Sequence, residues 1–266
     1  MRDLIAATSL MRAFEKGLKD FYAIPPEPYA CSVAIFVSGQ SGIGTTTAAA
    51  QFAITTDAAL FTPPPNATDR TWLDRLYESV VGGEPAQWGP DSRWREIERE
   101  LKRRDGRALI ADEIENMNHG QLESMRHICD RARAKLILCS RGSLLRALKA
   151  AATAEMQVLS SRAHVRVELP APSLRDVKLL AQELSEVEIA GDLASDIFKR
   201  AGASIRAILH ELQAIEQAAL FADVKSLDLA GWIKMLGGVK AEAKLPAPLK
   251  AITARELPVR LNKGVA

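Results

Sequence analysis

The run Gly39-Gln40-Ser41-Gly42-Ile43-Gly44-Thr45-Thr46 is the segment of this chain best suited to holding phosphate. It follows Val33-Ala34-Ile35-Phe36-Val37, whose β-branched, apolar residues predict a strand buried on both faces. From Thr45 to Ala53 alanines and Phe52 replace the glycines, which predicts a helix. A glycine-rich turn between strand and helix lets backbone N–H groups surround a polyphosphate, and the helix N-terminus adds a favourable dipole. The usual spacing is G-x-x-x-x-G-K-[ST]. Here the glycine spacing is kept and Thr46 fills the hydroxyl position that binds Mg²⁺, with Thr47 next to it. The lysine position holds Thr45. That lysine would bring a full positive charge to the β- and γ-phosphates, whereas threonine brings only a hydroxyl. On the turn alone, a glycine-rich connection with no ligand is an equally good reading.

A second segment shifts that balance. Ala108-Leu109-Ile110-Ala111-Asp112-Glu113 is an apolar strand ending in two acids. In nucleoside-triphosphate hydrolysis the first such acid helps hold Mg²⁺ and the second polarises the attacking water. The plainer alternative is an Asp-Glu pair capping the following helix. Strand, glycine-rich loop and acid pair in this order are jointly more specific than either motif.

The elements needed to position these residues are legible in outline. Helical spacing predicts helices over Leu4 to Phe21, Asp69 to Val81, Asp91 to Arg104 and Gln121 to Ala134, with Leu144 to Met156 as a further candidate. Short apolar runs predict strands at Ala59 to Phe61, Ala108 to Ala111, Leu136 to Cys139 and Val165 to Leu169. The alternation predicts a three-layer α/β unit with a mostly parallel sheet. After Pro170 and Pro172 the texture changes to helices over Ser173 to Leu184, Leu193 to Ala201, Ile205 to Phe221 and Leu229 to Leu236, with no strand between them. The expected division is 1–30 as N-terminal helix and linker, 31–170 as the α/β nucleotide-binding unit, 171–237 as a small helical lid, and 238–266 as a basic tail without fixed order.

Bulk properties narrow the function classes. The 266 residues are 47% hydrophobic, ample for a buried core, and the formal net charge is only +2. Bulk charge therefore gives no argument for nucleic-acid binding, so any such surface must come from local clusters. The densest are Arg93-Trp94-Arg95, Lys102-Arg103-Arg104 with Arg107, and Arg126 to Lys135. Glu96, Glu98 and Glu100 interleave with the first two, which favours ion pairs along a solvated helix face. Cys31, Cys129 and Cys139 match no zinc spacing and read as buried free thiols. His119, His127, His164 and His210 show no metal spacing. No apolar run approaches the roughly 20 residues a membrane helix needs, and no secretory leader is seen, so a soluble cytoplasmic protein is expected.

With the loop, the Asp112-Glu113 strand, Leu136 to Arg141, Leu159-Ser160-Ser161-Arg162 and Gly202-Ala203-Ser204-Ile205-Arg206, the chain resembles the AAA+ ATPases. Within them it is most similar to the target-selecting ATPases of DNA transposition, of the bacteriophage Mu B type, over roughly Tyr22 to Leu236. The resemblance implies ATP and Mg²⁺ as ligands, with Thr46 and Asp112 on the metal and Gly39 to Thr47 around the phosphates. It places the first sensor at Ser140 or Arg141, and the second at Arg206. It implies that Arg162, with Arg166 as fallback, reaches into a neighbouring subunit's site. The implied protein is an oligomeric regulator that binds double-stranded DNA and directs a transposase, with slow ATP hydrolysis. Thr45 keeps open a non-catalytic scaffold of the same fold, and another DNA-linked AAA+ protein is a third reading. Arg141 could supply the charge missing at Thr45, or it could face solvent or pair with an acid such as Asp112.

Overall fold

In the computed structural model the described residues are 6–25, 31–39, 42–84, 89–103, 107–141 and 161–242, the side chains of 237–242 excepted. The first part of the chain runs α1 (Ser9–Tyr22), β1 (Val33–Ser38), α2 (Thr45–Thr56), β2 (Ala59–Phe61), α3 (Asp69–Val80), α4 (Pro90–Arg103), β3 (Leu109–Ala111), a 3₁₀ turn (Ile114–Asn116), α5 (His119–Ala132), β4 (Leu136–Arg141) and β5 (Ala163–Leu169). These five strands form one sheet in the order β2-β3-β4-β1-β5, every pair parallel.

The central strand explains the layering. All six residues of β1 are buried, as its unbroken apolar run requires. Val33, Ile35 and Val37 point into one core with Trp72, Leu76, Ile97, Leu101 and Ile128 from α3, α4 and α5. Ala34 and Phe36 point into the opposite core with Leu10 and Phe14 of α1 and Ala48 and Ala49 of α2. Each fully buried Phe or Leu side chain here contributes about 1.5–3 kcal/mol of transfer free energy. The sheet thus lies between two helical layers.

Helix α1 begins at Ser9 rather than Leu4, because Thr8 caps it by accepting the Met11 N–H. It approaches the sheet closely at Gly17, where an added Cβ would lie 2.6 Å from Val167 Cγ2 and 2.8 Å from Phe36 Cε1. Gly17→Ala is therefore expected to destabilise the fold by about 1–3 kcal/mol through overpacking. Urea unfolding checks this, and an unchanged midpoint would refute the close approach.

The second part is α6 (Leu174–Leu184), β6 (Glu188–Ile189), α7 (Gly191–Ala201), α8 (Ile205–Phe221), β7 (Ser226–Leu227) and α9 (Leu229–Glu242). It has a core of its own, including Val177, Leu193, Ile197, Ile208, Leu212 and Ile215. The four expected helices are present. The reading of no strand between them is corrected: β6 and β7 make a two-residue parallel pair. Two residues carry no period for a sequence pattern to show.

Asp176 joins the two parts. Its carboxylate accepts from the N–H and Oγ of Ser9 at 2.6 and 2.7 Å, and from the N–H and Oγ of Ser173 at 2.8 and 2.7 Å. Burial alone would raise this carboxyl, but those donors hold it below the usual carboxylate range. The expected helix over Leu144 to Met156 lies outside the described residues; of the expected tail over 238–266, residues 238–242 belong to α9 and the rest lies outside them.

Candidate functional site

Strands β1, β3 and β4 end at the same edge of the sheet, where parallel α/β folds place ligands. Beyond β1, Gly42 and Gly44 have φ of 80° and 100°, values that a side chain makes costly. Gly42 also leaves no room, since a Cβ there would lie 2.8 Å from Ser204 Oγ. Its carbonyl accepts the Arg206 N–H at 3.0 Å, so the first turn of α8 rests on the loop. Ile43 is buried in the core and anchors the loop between the two glycines. Gly39 is exposed. Gln40 and Ser41 lie outside the described residues.

Thr46 Oγ1 donates to Asp112 Oδ2 at 2.7 Å. The two residues expected to share Mg²⁺ therefore meet, although 66 positions separate them. Asp112 is almost fully buried, and desolvation raises its carboxyl above the usual range despite the Thr46 hydrogen bond. A divalent cation would offset that cost. Mg²⁺ takes one or two carboxylates and completes its shell with phosphate and water oxygens, so this donor set fits it. Thr45 Oγ1 is buried with no hydrogen-bond partner among the described residues. An orphaned hydroxyl in the first turn of a helix fits an anion acceptor in front of it.

These groups line one cavity of about 410 Å³ that also takes in Thr47, Glu113, Ser140, Arg141 and Arg206. Glu113 has φ 52°, left-handed backbone that costs a non-glycine residue energy and is found most at functional turns. Ser140 is buried, and its Oγ donates to Glu115 Oε2 at 3.2 Å. Arg141 neither faces solvent alone nor pairs with Asp112. Its Nη2 lies 3.1 Å from Glu113 Oε1 and its Nε 2.9 Å from Glu115 Oε1. Sequence reasoning did not include Glu115, His210 or Gln213 in the site, yet all three line the cavity. The last two were findable: Arg206, His210 and Gln213 are spaced to share one face of α8.

Arg162 is not brought to this cavity. It immediately precedes β5, whose first residue Ala163 pairs with Val33, at the far end of β1 from the loop. There its Nη1 donates to both oxygens of Asp130 at 2.8 and 2.6 Å. Asp130 also accepts the Cys31 N–H at 2.7 Å. Burial would raise this carboxyl, but the Cys31 and Arg162 donors hold it below its usual range. The three cysteines are buried free thiols, and burial pushes each thiol up, so none is poised as a thiolate.

The basic clusters are largely spoken for. Lys102 pairs with Glu98 at 2.5 Å, Arg131 with the same Glu98 at 2.9 Å, and Arg93 with Asp74 at 2.9 Å. Of these pairs, only Lys102–Glu98 runs along one helix, as the spacing suggested; Arg131 reaches Glu98 from α5, and the buried Arg93 pairs with Asp74 of α3.

Residues 33–148 match a family model described as an AAA domain. No curated protein matches the chain. Among solved structures, a RuvB mutant from Thermotoga maritima is similar with a TM-score of 0.56 at 15% identity, covering 90% of this chain and 75% of that one. T. maritima RuvB described as a Holliday junction branch migration motor gives 0.55 at 14%, covering 87% and 70%. The Aeropyrum pernix ORC2 protein, solved as ADPNP-ADP complexes, gives 0.55 at 17%, covering 86% and 66%. At such identities the likeness is one of fold, and the fold is that of an AAA+ P-loop NTPase with a parallel sheet and a helical segment after it. No helix among the described residues is long and apolar enough to cross a membrane.

Proposed function

We propose that this chain, an AAA+ P-loop NTPase by fold, is an ATP-binding, oligomer-forming regulator that works on double-stranded DNA and directs a transposase. The observation that carries nucleotide binding is the Thr46–Asp112 hydrogen bond in front of the α2 N-terminus. It sets a hydroxyl and a carboxylate side by side, as a shared Mg²⁺ requires. When bound, that metal would supply charge to offset the phosphates. Thr45 to Thr47 present N–H groups to the phosphates, and Glu113 polarises the attacking water. Arg162 serves a neighbour's site, and Arg206 reports nucleotide state from α8. The transposase assignment is supported by the resemblance to transposition target selectors alone, and the DNA assignment by that resemblance and by the fold shared with a Holliday junction branch migration motor.

Equilibrium binding of a fluorescent ATP analogue with Mg²⁺ tests this reading. Saturable binding that Asp112→Asn weakens is expected, with a rise in melting temperature equivalent to about 2.7 kcal/mol at a ligand concentration of 100 Kd. Thr45 favours the second reading, a scaffold that has given up nucleotide. If only Thr45→Lys binds and the natural chain does not, that second reading stands.

DNA binding is expected to be salt-dependent and indifferent to sequence. Phosphate contacts supply such affinity, and its logarithm falls linearly with the logarithm of salt concentration. Titrations of two unrelated duplexes across a salt series check this. A strong preference for one of them at fixed salt counts against it.

A further inference from the structure

The cavity has a charge problem that its geometry also resolves. Asp112, Glu113 and Glu115 bring three carboxylates to it, and the position that normally holds lysine is Thr45. A polyphosphate entering there needs a cation. Two arginines line the cavity, Arg206 from α8 and Arg141 from the sheet edge. Of these, Arg141 is placed to answer the loop. It is the last residue of β4 and stands directly opposite Ser38, the last residue of β1, from which the loop departs. Its side chain is 49% exposed, so an incoming phosphate can reach it from solvent. A guanidinium also suits phosphate better than a point charge does, because it can donate two parallel N–H groups.

That guanidinium is engaged by the acids around it. Glu113 Oε1 and Glu115 Oε1 both hold it, and Glu113 Oε2 accepts from Asn116 Nδ2 at 3.4 Å. The carboxylate needed to polarise water is therefore itself held, Oε1 by the guanidinium and Oε2 by the longer amide contact. We propose that Arg141 is the phosphate-binding cation of this site in place of the lysine absent at Thr45, and that its pairing with Glu113 and Glu115 makes nucleotide binding and the freeing of Glu113 a single event. Phosphate oxygens and the two glutamates compete for one guanidinium. When phosphate wins, Arg141 turns from Glu113, and the carboxylate regains an oxygen for a water molecule. Glu115 sets how strongly phosphate must compete, because it holds Arg141 without taking part in the chemistry. Nucleotide affinity and base availability are then linked through Arg141.

This inference rests on the nucleotide-binding reading above, and two sets of variants separate them. Affinity for the fluorescent ATP analogue with Mg²⁺ is measured for the natural chain, Arg141→Ala, Glu115→Gln and the double variant, with melting temperatures recorded for each. Arg141→Ala is expected to weaken binding by about 30-fold or more, the low end for truncating one partner of a hydrogen-bonded charge pair. Arg141→Lys should recover part of the loss. Glu115→Gln is expected to tighten binding by about fivefold, since it removes one ion pair to a half-exposed guanidinium. In the Arg141→Ala background Glu115→Gln should change nothing. Equal tightening in both backgrounds would show that Glu115 repels the phosphates directly, and would overturn the linkage. Unchanged affinity in a folded Arg141→Ala protein, where the natural chain binds, would overturn the assignment of the cation. If the natural chain shows no binding and Thr45→Lys does, the nucleotide-binding reading itself has failed.

Discussion

Arg162→Ala is expected to lower ATP turnover by about 10³- to 10⁵-fold, the range an arginine supplied in trans contributes to phosphoryl transfer. Binding of nucleotide to the isolated subunit should be untouched. The split follows from geometry. Arg162 sits beside Ala163, which pairs with Val33, whereas the phosphate loop leaves β1 after Ser38. Those two ends of β1 are roughly 16 Å apart at the rise of a β-strand, beyond what an arginine side chain can span. Arg162 therefore has no role at its own cavity, and any catalytic role requires a second subunit. Asp130 bears on the same point. It holds one guanidinium nitrogen, Nη1, at 2.6 Å while itself fixed by the Cys31 N–H. A residue so held is presented in a defined direction, which lowers the entropic cost of meeting a neighbour's phosphate. ATP-dependent assembly, followed by light scattering and negative-stain images, should weaken in parallel with turnover. Identical assembly and turnover in Arg162→Ala would sink the trans assignment. Arg162→Lys should not rescue, because an ammonium lacks the planar fork.

The parts of this molecule that show in the sequence are those encoded by local pattern. The strand before Gly39, the loop spacing, and the apolar run into Asp112-Glu113 each follow from residues adjacent in the chain. The pairing of β1 with β4 sets Ser38 beside Arg141, so the loop that lacks a lysine and the arginine that could supply its charge share one edge of the sheet. What stayed hidden depends on register and rotamer. Nothing in the sequence distinguishes Asp112 from Glu113 or Glu115 as the partner of Arg141. That choice is made by the turn through Glu113, whose φ of 52° breaks the strand. His210 was dismissed for lacking a metal spacing, yet its helical spacing from Arg206 places it on the cavity wall. The clamp of Asp130 on Arg162 joins residues 32 positions apart and needs the finished sheet to exist.

Glu113→Gln is expected to slow hydrolysis by about 10²- to 10⁴-fold, the usual contribution of a positioned general base. Its effect on binding should run the other way. Glutamine keeps the shape of glutamate but not its charge, so the ion pair that holds Arg141 Nη2 at 3.1 Å is lost. Thr46 and Asp112 remain hydrogen-bonded at 2.7 Å to receive the metal, and the loop glycines are untouched. Arg141, restrained only by Glu115, is then more available to phosphate. A variant that cannot turn ATP over but holds it at least as tightly should also stay assembled longer, since the nucleotide proposed to join subunits is not consumed. Turnover, analogue affinity and the lifetime of ATP-dependent oligomers measured on the same preparation check all three statements. Reduced affinity with unchanged turnover would reverse the roles given to Glu113. A natural chain that binds ATP, assembles, and yet shows no turnover above background with DNA present would mean that nucleotide serves here only to join subunits. Glu113 would then act solely as the partner that regulates Arg141.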